Sequence, residues 1–184
     1  RDDALAVYSW LVLSNQELGI DINRIAVGGD SAGGALAAYV CNLASNVGLP
    51  KPCMQMLIYP VTDRMMSSES MKLFPDTPMW NSKRNKNMWK MYLKQTPRSK
   101  WDDASPMHMP LPVEIPDTYV ETAEFDCLRD EGVAYALKLK NAGGNVTLIQ
   151  TYGTVHGYDI VQDSDITRTS MKRRLETLRS SFEK

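Results

Sequence analysis

The segment 24–34, which reads RIAVGGDSAGG, constrains this chain more than any other part of it. It joins a short β-branched run to an expected helix through one serine, Ser31, which has Gly29 and Gly33 two positions away on either side. A residue at the tip of a strand-to-helix turn adopts a strained backbone, and small neighbours give that turn room. The sequence therefore predicts that the Ser31 hydroxyl projects beyond a strand, near the N-terminal N–H groups of the next helix, as a nucleophile does.

Two other glycine motifs also join a strand to a helix, and the sequence excludes both of them. A dinucleotide fingerprint that began at Gly28 would need a glycine where Asp30 stands. A phosphate-binding loop would need Lys followed by Ser or Thr at 34–35 or 35–36, where the chain has Gly-Ala and Ala-Leu. We therefore expect no nucleotide at this turn.

Length and composition indicate an ordinary globular domain. The 184 residues carry a formal net charge of −1, and 43% of them are hydrophobic. Nucleic-acid binding is not expected, because the basic runs at 83–86 and 172–174 are interpreted as solvated helix faces. Membrane insertion is not expected either, and the chain opens with no export signal, which favours a cytoplasmic protein. Cys41, Cys53 and Cys127 include no CxxC pair, so we expect reduced thiols and no zinc site.

Hydrophobic periodicity predicts strands that alternate with helices. The predicted elements are, in order, a helix up to Gly19, a strand at 24–28, a helix after Ser31, strands at 53–59, 117–122 and 145–152, a helix between the last two strands that ends at 143–144, and a helix at the C-terminus through Phe182. Nearly continuous apolar strands separated by helices are typical of parallel β-α-β units. The sequence therefore predicts an α/β fold with about four parallel strands flanked by helices.

The segment 64–116 is interpreted as a cap-like insertion. It is polar, punctuated by prolines, and contains most of the eleven methionines and three of the four tryptophans. A structureless segment of that length would be unusual in a compact domain, so we expect a helix near 83–94. Its expected apolar face consists of Met88, Trp89, Met91 and Tyr92. This face either packs onto the main domain or forms a roof over a pocket for small apolar groups, and both alternatives stay open.

A nucleophilic serine needs a base and a carboxylate that orients the base. His108 lies in a proline-rich loop, where a solvent-facing or packing role is favoured, whereas His156 follows the last predicted strand in a glycine-flanked loop. Ligands collect at the carboxyl ends of parallel strands, which favours His156 as the base. We select Asp126 as the carboxylate because it lies in the turn between a strand and a helix. Glu124 and Asp130 are alternatives, although capping and an interaction with the helix N-terminus explain Asp130 and the adjacent Glu131 more simply.

Three motifs together resemble the hormone-sensitive-lipase-like branch of the α/β-hydrolases, particularly its bacterial acetyl-esterase members. They are Gly-Asp-Ser-Ala-Gly-Gly at 29–34, Ala-Glu-Phe-Asp-x-Leu-Arg-Asp-Glu-Gly at 123–132 and Thr-Val-His-Gly at 154–157. These motifs span nearly the whole chain in the order Ser, Asp, His that strand-elbow hydrolases require. The family usually has proline where Cys127 stands, and we expect this change to alter the turn rather than the chemistry.

The resemblance implies a serine carboxylesterase that acts on small, short-chain acyl esters without a metal or cofactor. By position it assigns roles to six residues: Ser31 as nucleophile, His156 as base, Asp126 as orienting acid, the Ala32 backbone N–H in the oxyanion hole, and Asp30 and Gly29 in the shape of the elbow. Two alternatives share these residues. One is an amidase or peptidase of the same fold, and the other is a non-catalytic hydrolase-fold binding protein that uses a pocket beneath the insertion.

One part of the family pattern has no counterpart here. The family's His-Gly-Gly-Gly oxyanion loop and the strands before it would precede Arg1, which is not an initiator methionine. We therefore interpret 1–184 as the C-terminal portion of a single α/β-hydrolase domain and expect feeble or absent turnover from it alone, because most oxyanion donors are missing. The strand at 24–28 is expected to have an unpaired apolar edge, covered by a second copy of the chain, by a preceding segment or by neighbouring helices.

Overall fold

The structure is a computed structural model that describes residues 1–183. Its helices and strands are, in chain order, α1 (Asp2–Leu13), α2 (Asn15–Leu18), β1 (Ala26–Asp30), α3 (Ala32–Leu43), β2 (Met54–Ile58), α4 (Glu69–Leu73), α5 (Ser82–Tyr92), β3 (Asp117–Phe125), α6 (Arg129–Asn141), β4 (Val146–Val155) and α7 (Asp165–Phe182). The four strands are parallel and lie side by side in the order β1-β2-β3-β4. The predicted α/β class and the four-stranded parallel sheet are confirmed.

Helices cover both faces of this sheet, as is typical of parallel sheets. Leu57 and Val120 lie opposite each other on β2 and β3 and pack against α3 and α6 through a fully buried cluster. On the other face, the paired residues Met56 and Tyr119 pack toward α7, where Leu178 contacts the same cluster. Alternation along the strands therefore divides the core into two layers.

The first helix is shorter than predicted. α1 ends at Leu13, and a separate turn, α2, continues to Gly19. The side-chain amide of Asn15 donates a hydrogen bond to the Val12 carbonyl at 2.7 Å, so it occupies an acceptor that a continuous helix would use. The predicted stop at Gly19 is confirmed, because this glycine adopts the left-handed conformation with φ of 66°.

The first strand begins later than predicted, at Ala26. The residues before it, Ile22–Arg24, form a 3₁₀ turn. The Asp21 side chain accepts a hydrogen bond from the backbone N–H of Asn23 at 2.9 Å and closes that turn. β1 lies at an edge of the sheet, as predicted, with β2 as its neighbour.

The last two strands are longer than predicted, and their extra length positions the loops that follow them. β3 continues past Thr122 to Phe125, and β4 continues past Tyr152 to Val155. These two strands pair with each other as far as Phe125 and Val155, through a bulge, whereas β2 ends at Ile58 opposite Glu121. The β3–β4 pair therefore extends beyond the carboxyl edge of its neighbours, and the loops that follow it lie over the end of the sheet.

The segment 64–116 contains α4, α5 and two 3₁₀ turns, so the expected helix is confirmed. Its Trp89 is buried against the main domain together with Val61, Cys127 and Leu128. Within the predicted apolar face, Met91 does not pack onto the main domain, because it is 77% exposed. Met91 borders an open cavity rather than a packed surface. Within residues 1–183, no helix combines the length and the hydrophobicity that a bilayer span requires.

Two charged residues are buried where the sequence predicts exposure or capping. Arg174 belongs to the basic run at 172–174, yet it is only 9% exposed. It lies on the stripe of α7 that faces the sheet, with Thr167 and Ser170, and its ion-pair partner is Glu121 on β3. Glu131, in the first turn of α6, is buried and accepts hydrogen bonds from another segment rather than capping its own helix.

Candidate active site

Ser31 lies between the end of β1 and the start of α3 with a positive φ of 55° and a ψ of −119°. A positive φ is rare for a residue that carries a Cβ atom and persists only where the surroundings determine it. Here the Ser31 N–H donates to the Ile58 carbonyl at 2.9 Å, and the Ser31 carbonyl accepts from the Val61 N–H at 3.1 Å. The end of β2 therefore fixes the backbone of the elbow from both sides.

The glycines around Ser31 differ in whether their surroundings leave room for a side chain. A Cβ atom at Gly29 would lie 2.3 Å from the Gly33 carbonyl carbon, and a Cβ atom at Gly34 would lie 2.8 Å from the Pro60 Cβ. A Cβ atom at Gly33 would have its nearest neighbour at 3.9 Å, which is an ordinary contact. The expected need for a small residue is confirmed at Gly29. It is wrong at Gly33, where the backbone is crowded but the side-chain position is open.

The three residues selected from the sequence form one line of hydrogen bonds. His156 Nε2 lies 2.9 Å from Ser31 Oγ, and His156 Nδ1 lies 2.7 Å from Asp126 Oδ2. Asp126 is fully buried, and its second oxygen accepts from the Leu128 N–H at 3.0 Å. An ionised carboxylate only accepts hydrogen bonds, so the Nδ1 atom of His156 carries a proton and Nε2 is left to accept from the serine hydroxyl.

The loop that carries His156 begins at the end of the long strand β4. Gly157, the next residue, has a φ of 70° and reverses the chain there. The imidazole ring lies 4.6 Å from the Tyr59 ring and 6.2 Å from the Trp80 ring, measured between centroids. Two aromatic side chains therefore border the base, and His156 is only 7% exposed.

The oxyanion and elbow residues named from the sequence lie beside Ser31. Ala32 is the first residue of α3, so its N–H has no acceptor within the helix and adjoins the serine. Asp30 and Gly29 are the last residues of β1 and precede the turn directly.

The alternative acids and the second histidine have other partners. Glu124 accepts a hydrogen bond from the Gly153 N–H at 2.7 Å. Asp130 accepts from the Ser70 N–H at 2.7 Å and pairs with a neighbouring arginine. Burial by itself raises the pKa of Asp130, but these hydrogen bonds outweigh it and hold the pKa below its ordinary value. His108, in the insertion, pairs with Asp63 at 2.8 Å. None of these three groups is hydrogen-bonded to His156.

A protein-family model described as "alpha/beta hydrolase fold" matches residues 1–160 of this chain. The chain belongs to this family. The ethyl acetate hydrolase of Pseudomonas putida is 34% identical to it over 170 residues, which cover 89% of this chain and 53% of the relative. The carboxylic ester hydrolase LipN of Mycobacterium tuberculosis is 37% identical over 166 residues, which cover 85% of this chain and 43% of the relative.

Two similar solved structures are also esterases by name. A bacterial heroin esterase superposes with a TM-score of 0.90 at 35% identity, covering 97% of this chain and 58% of the other. The esterase LipW of Mycobacterium marinum gives 0.90 at 30% identity, covering 98% and 57%. The predicted resemblance to the hormone-sensitive-lipase-like esterases is confirmed. The chain spans about half the length of the curated relatives it matches, and its interpretation as the C-terminal portion of one domain stays a prediction.

A cavity of about 730 Å³ lies beside the elbow of this α/β-hydrolase, between α3 and α5. Ala32 and Leu36 border it from the main domain, and Trp80, Met88 and Tyr92 border it from the insertion. Both alternatives for the insertion helix therefore apply, because Trp89 packs into the core while its neighbours face the cavity.

Sequence reasoning missed two residues of this α/β-hydrolase that support the site. Tyr59 follows β2 with a φ of 34° and contacts the His156 ring, but in the sequence it is only the last residue of an apolar run before a proline. Glu131 Oε1 accepts hydrogen bonds from the N–H groups of Thr62 and Asp63 at 2.7 and 3.1 Å. Burial raises the pKa of Glu131 well above its ordinary value, and the nearby Asp63 and Asp126 raise it further.

Proposed function

We propose that this α/β-hydrolase is a serine carboxylesterase that hydrolyses short-chain acyl esters through an acyl-enzyme intermediate. The observation that carries the proposal is the line of hydrogen bonds from Asp126 through His156 to Ser31 at a strained strand-to-helix elbow. The named functions of its relatives, which are ester hydrolases, support the bond type. The name of the ethyl acetate hydrolase supports a small acyl group.

The proposed first half of the reaction acylates Ser31. Its Oγ attacks the ester carbonyl carbon while His156 Nε2 accepts the hydroxyl proton. Asp126 stabilises the imidazolium that forms and keeps the proton on Nδ1. The Ala32 N–H donates to the carbonyl oxygen as negative charge develops on it. The imidazolium then gives its proton to the alkoxy oxygen, the C–O bond breaks, and the alcohol leaves.

The proposed second half regenerates the enzyme. A water molecule attacks the acyl carbon while His156 Nε2 accepts one of its protons. The tetrahedral intermediate collapses, the bond to Ser31 Oγ breaks, and the proton returns to that oxygen. The products are a carboxylic acid and free enzyme, so the cycle needs no redox or group-carrying cofactor. A small ester is the proposed partner, and a cytoplasmic location belongs to the same proposal.

The cavity between α3 and α5 is evidence for a substrate that carries an apolar group. Its lining is mostly uncharged and includes Ala32, Leu36 and Met88, and two arginines, Arg1 and Arg84, also border it. A mostly apolar concavity next to a few polar groups is the usual arrangement of a small-molecule site. We propose that this cavity receives one side of the ester while the carbonyl lies at Ser31.

The test combines hydrolysis with trapping of the nucleophile. The 184-residue chain and, where its source polypeptide is longer, the complete polypeptide are assayed on p-nitrophenyl acetate and on the matched anilide. Both are also labelled with a fluorophosphonate, and the labelled peptide is identified by mass spectrometry. In the complete polypeptide we expect labelling at Ser31 and faster hydrolysis of the ester than of the anilide, whereas we expect feeble or absent turnover from the 184-residue chain alone. Ser31→Ala abolishes both, whereas Ser45→Ala, an exposed serine in another turn, leaves both unchanged.

Three results would overturn the proposal in different ways. Ester hydrolysis that persists in Ser31→Ala would exclude this nucleophile. Faster cleavage of the anilide than of the ester would favour an amidase or peptidase. Absence of both labelling and turnover in the complete polypeptide would favour a non-catalytic binding protein.

A further inference from the structure

A buried ion pair connects β3 with α7 on the face of the sheet opposite α6. Glu121 is fully buried in β3, and its Oε1 atom pairs with Arg174 Nη2. The same Oε1 accepts from the Tyr158 hydroxyl at 2.7 Å, and Oε2 accepts from the Tyr119 hydroxyl at 2.6 Å and from Arg174 Nε at 3.4 Å. Both carboxylate oxygens therefore have two donors each.

A buried ion pair of this kind contributes little net stability by itself. Two charges leave water when such a pair is buried, and replacing the pair with apolar residues is often neutral or stabilising. A fully hydrogen-bonded network instead fixes the geometry of the groups that it joins. What the pair contributes therefore depends on which segments it connects.

The segment it connects is the loop that carries His156. Tyr158 and Asp159 follow His156 and Gly157 directly in the chain. Tyr158 donates to Glu121, and Asp159 Oδ2 accepts from Arg174 Nη1 at 2.7 Å. Glu121, Tyr158, Asp159 and Arg174, hereafter the Arg174 cluster, thus attach this loop to β3 and α7 immediately after the base.

A second connection reaches the imidazole ring itself. Asp159 Oδ1 accepts a hydrogen bond from the Tyr59 hydroxyl at 2.7 Å, and the Tyr59 ring lies 4.6 Å from the ring of His156. Burial by itself raises the pKa of Asp159, but the hydrogen bonds from Arg174 and Tyr59 outweigh it and hold the pKa below its ordinary value. Asp159 thus stays ionised and joins the cluster to Tyr59.

β3 consequently fixes the base at two points. Asp126, just past its end, binds Nδ1 of His156 directly. Glu121, within the strand, holds the following loop through Tyr158 and Arg174. We infer that the Arg174 cluster, together with Tyr59, is a positioning unit that sets the distance and direction of His156 Nε2 toward Ser31 Oγ. This inference rests on the proposed function only for its kinetic readout.

The inference predicts a loss in turnover rather than in substrate binding, because no member of the cluster lines the cavity between α3 and α5 that we propose for the substrate. A displacement of a reacting group by about 1 Å costs about 10²-fold in rate. In Arg174→Met we expect kcat for p-nitrophenyl acetate to fall about 10²-fold, with little change in KM. Tyr59→Phe keeps the ring against His156 and removes only the hydroxyl, so we expect a smaller fall in kcat.

Three further variants serve as controls. Glu121→Gln/Arg174→Met removes both charges of the buried Glu121–Arg174 pair, so no unpaired carboxylate remains within β3, and Asp159 keeps its hydrogen bond from Tyr59. This variant keeps the test valid if Arg174→Met alone fails to fold. Lys172→Met changes an exposed lysine on the same helix and is expected to leave kcat unchanged. Leu178→Ala weakens the packing of α7 without removing any hydrogen bond of the cluster. It measures the effect of lost stability alone.

A spectroscopic readout tests the inference independently of turnover. We expect the Nδ1 proton that His156 shares with Asp126 at 2.7 Å to give a low-field resonance in the proton NMR spectrum. We expect this resonance to broaden or shift in Arg174→Met and Tyr59→Phe and to stay unchanged in Leu178→Ala and Lys172→Met. An unchanged resonance together with a fall in kcat no larger than that of Leu178→Ala would overturn the inference. If the complete polypeptide hydrolyses no ester, the proposed function fails, and the resonance alone decides this inference.

Discussion

The backbone of Gly33 lies directly where a side chain at Gly29 would project. A Cβ atom at Gly29 would be 2.3 Å from the Gly33 carbonyl carbon and 2.4 Å from its oxygen, and neither backbone atom can move without displacing the elbow. We therefore predict that Gly29→Ala destabilises the protein by about 3 kcal/mol and prevents fluorophosphonate labelling of Ser31. Urea denaturation and labelling measure the two effects.

Gly33→Ala is the matched control for that substitution. The nearest atom to its Cβ would be Asp30 Oδ1 at 3.9 Å, and alanine is a better helix former than glycine by roughly 1 kcal/mol. We expect unchanged or higher stability and full labelling of Ser31. Damage from Gly33→Ala as large as that from Gly29→Ala would contradict the steric argument.

The residues that the sequence could identify are those whose position follows from local rules. Ser31, Asp126 and His156 each come directly after a strand, and the carboxyl ends of parallel strands meet at one edge, so their convergence could be expected. The continuation of the β3–β4 pairing past its bulge could not be expected, because it depends on pairing between strands rather than on the periodicity of either strand.

The sequence could not identify residues whose role depends on partners that are remote in the chain. In the sequence, Arg174 is one member of a basic run and Glu131 one acid at a helix start. Only the folded chain shows that Arg174 faces Glu121 and that Glu131 binds the N–H groups of Thr62 and Asp63. No sequence pattern marks Tyr59 either, because its contact with His156 joins segments that are remote in the chain.

Asp126→Asn tests whether the acid acts through the tautomer of His156. The amide keeps the shape of the side chain, but it can donate to Nδ1, which moves the imidazole proton to Nε2 and prevents that atom from accepting the Ser31 proton. We predict a fall in kcat of about 10⁴-fold, with near-normal stability, in ester hydrolysis assays. The protein contains its own control, because Asp63 pairs with His108 at the same type of distance, 2.8 Å. Asp63→Asn that lowered kcat equally would argue against a specific role for Asp126.

Glu131 predicts a pH dependence of stability with a defined sign. Burial raises its pKa in the folded protein, so the folded state holds this proton more tightly than the unfolded state does. The resulting stabilisation is complete below the ordinary value near 4.5 and is lost as the pH rises through the raised pKa. We predict that Glu131→Gln, which stays neutral, flattens the pH profile of the free energy of unfolding above pH 4.5.

Urea denaturation at a series of pH values checks this prediction, with Glu69→Gln as control. Glu69 pairs with Lys72 on an exposed helix surface, so its substitution should leave the profile unchanged. If Glu131→Gln follows the profile of the unsubstituted protein, then Glu131 is ionised in the folded state.

The cavity beside the elbow predicts a change in acyl-chain preference. Met88 is half-buried on α5 and borders the cavity opposite Leu36, so a tryptophan at position 88 would occupy part of the space. Because each methylene excluded from an apolar pocket costs about 1–3 kcal/mol, Met88→Trp should lower kcat/KM for p-nitrophenyl octanoate relative to the acetate by about tenfold or more. Lys90→Trp adds the same ring to an exposed position of α5 and should leave the ratio unchanged. An equal ratio of kcat/KM for octanoate to acetate in all three proteins would mean that the acyl chain lies elsewhere. The alcohol portion would then be the part of the ester that enters this cavity.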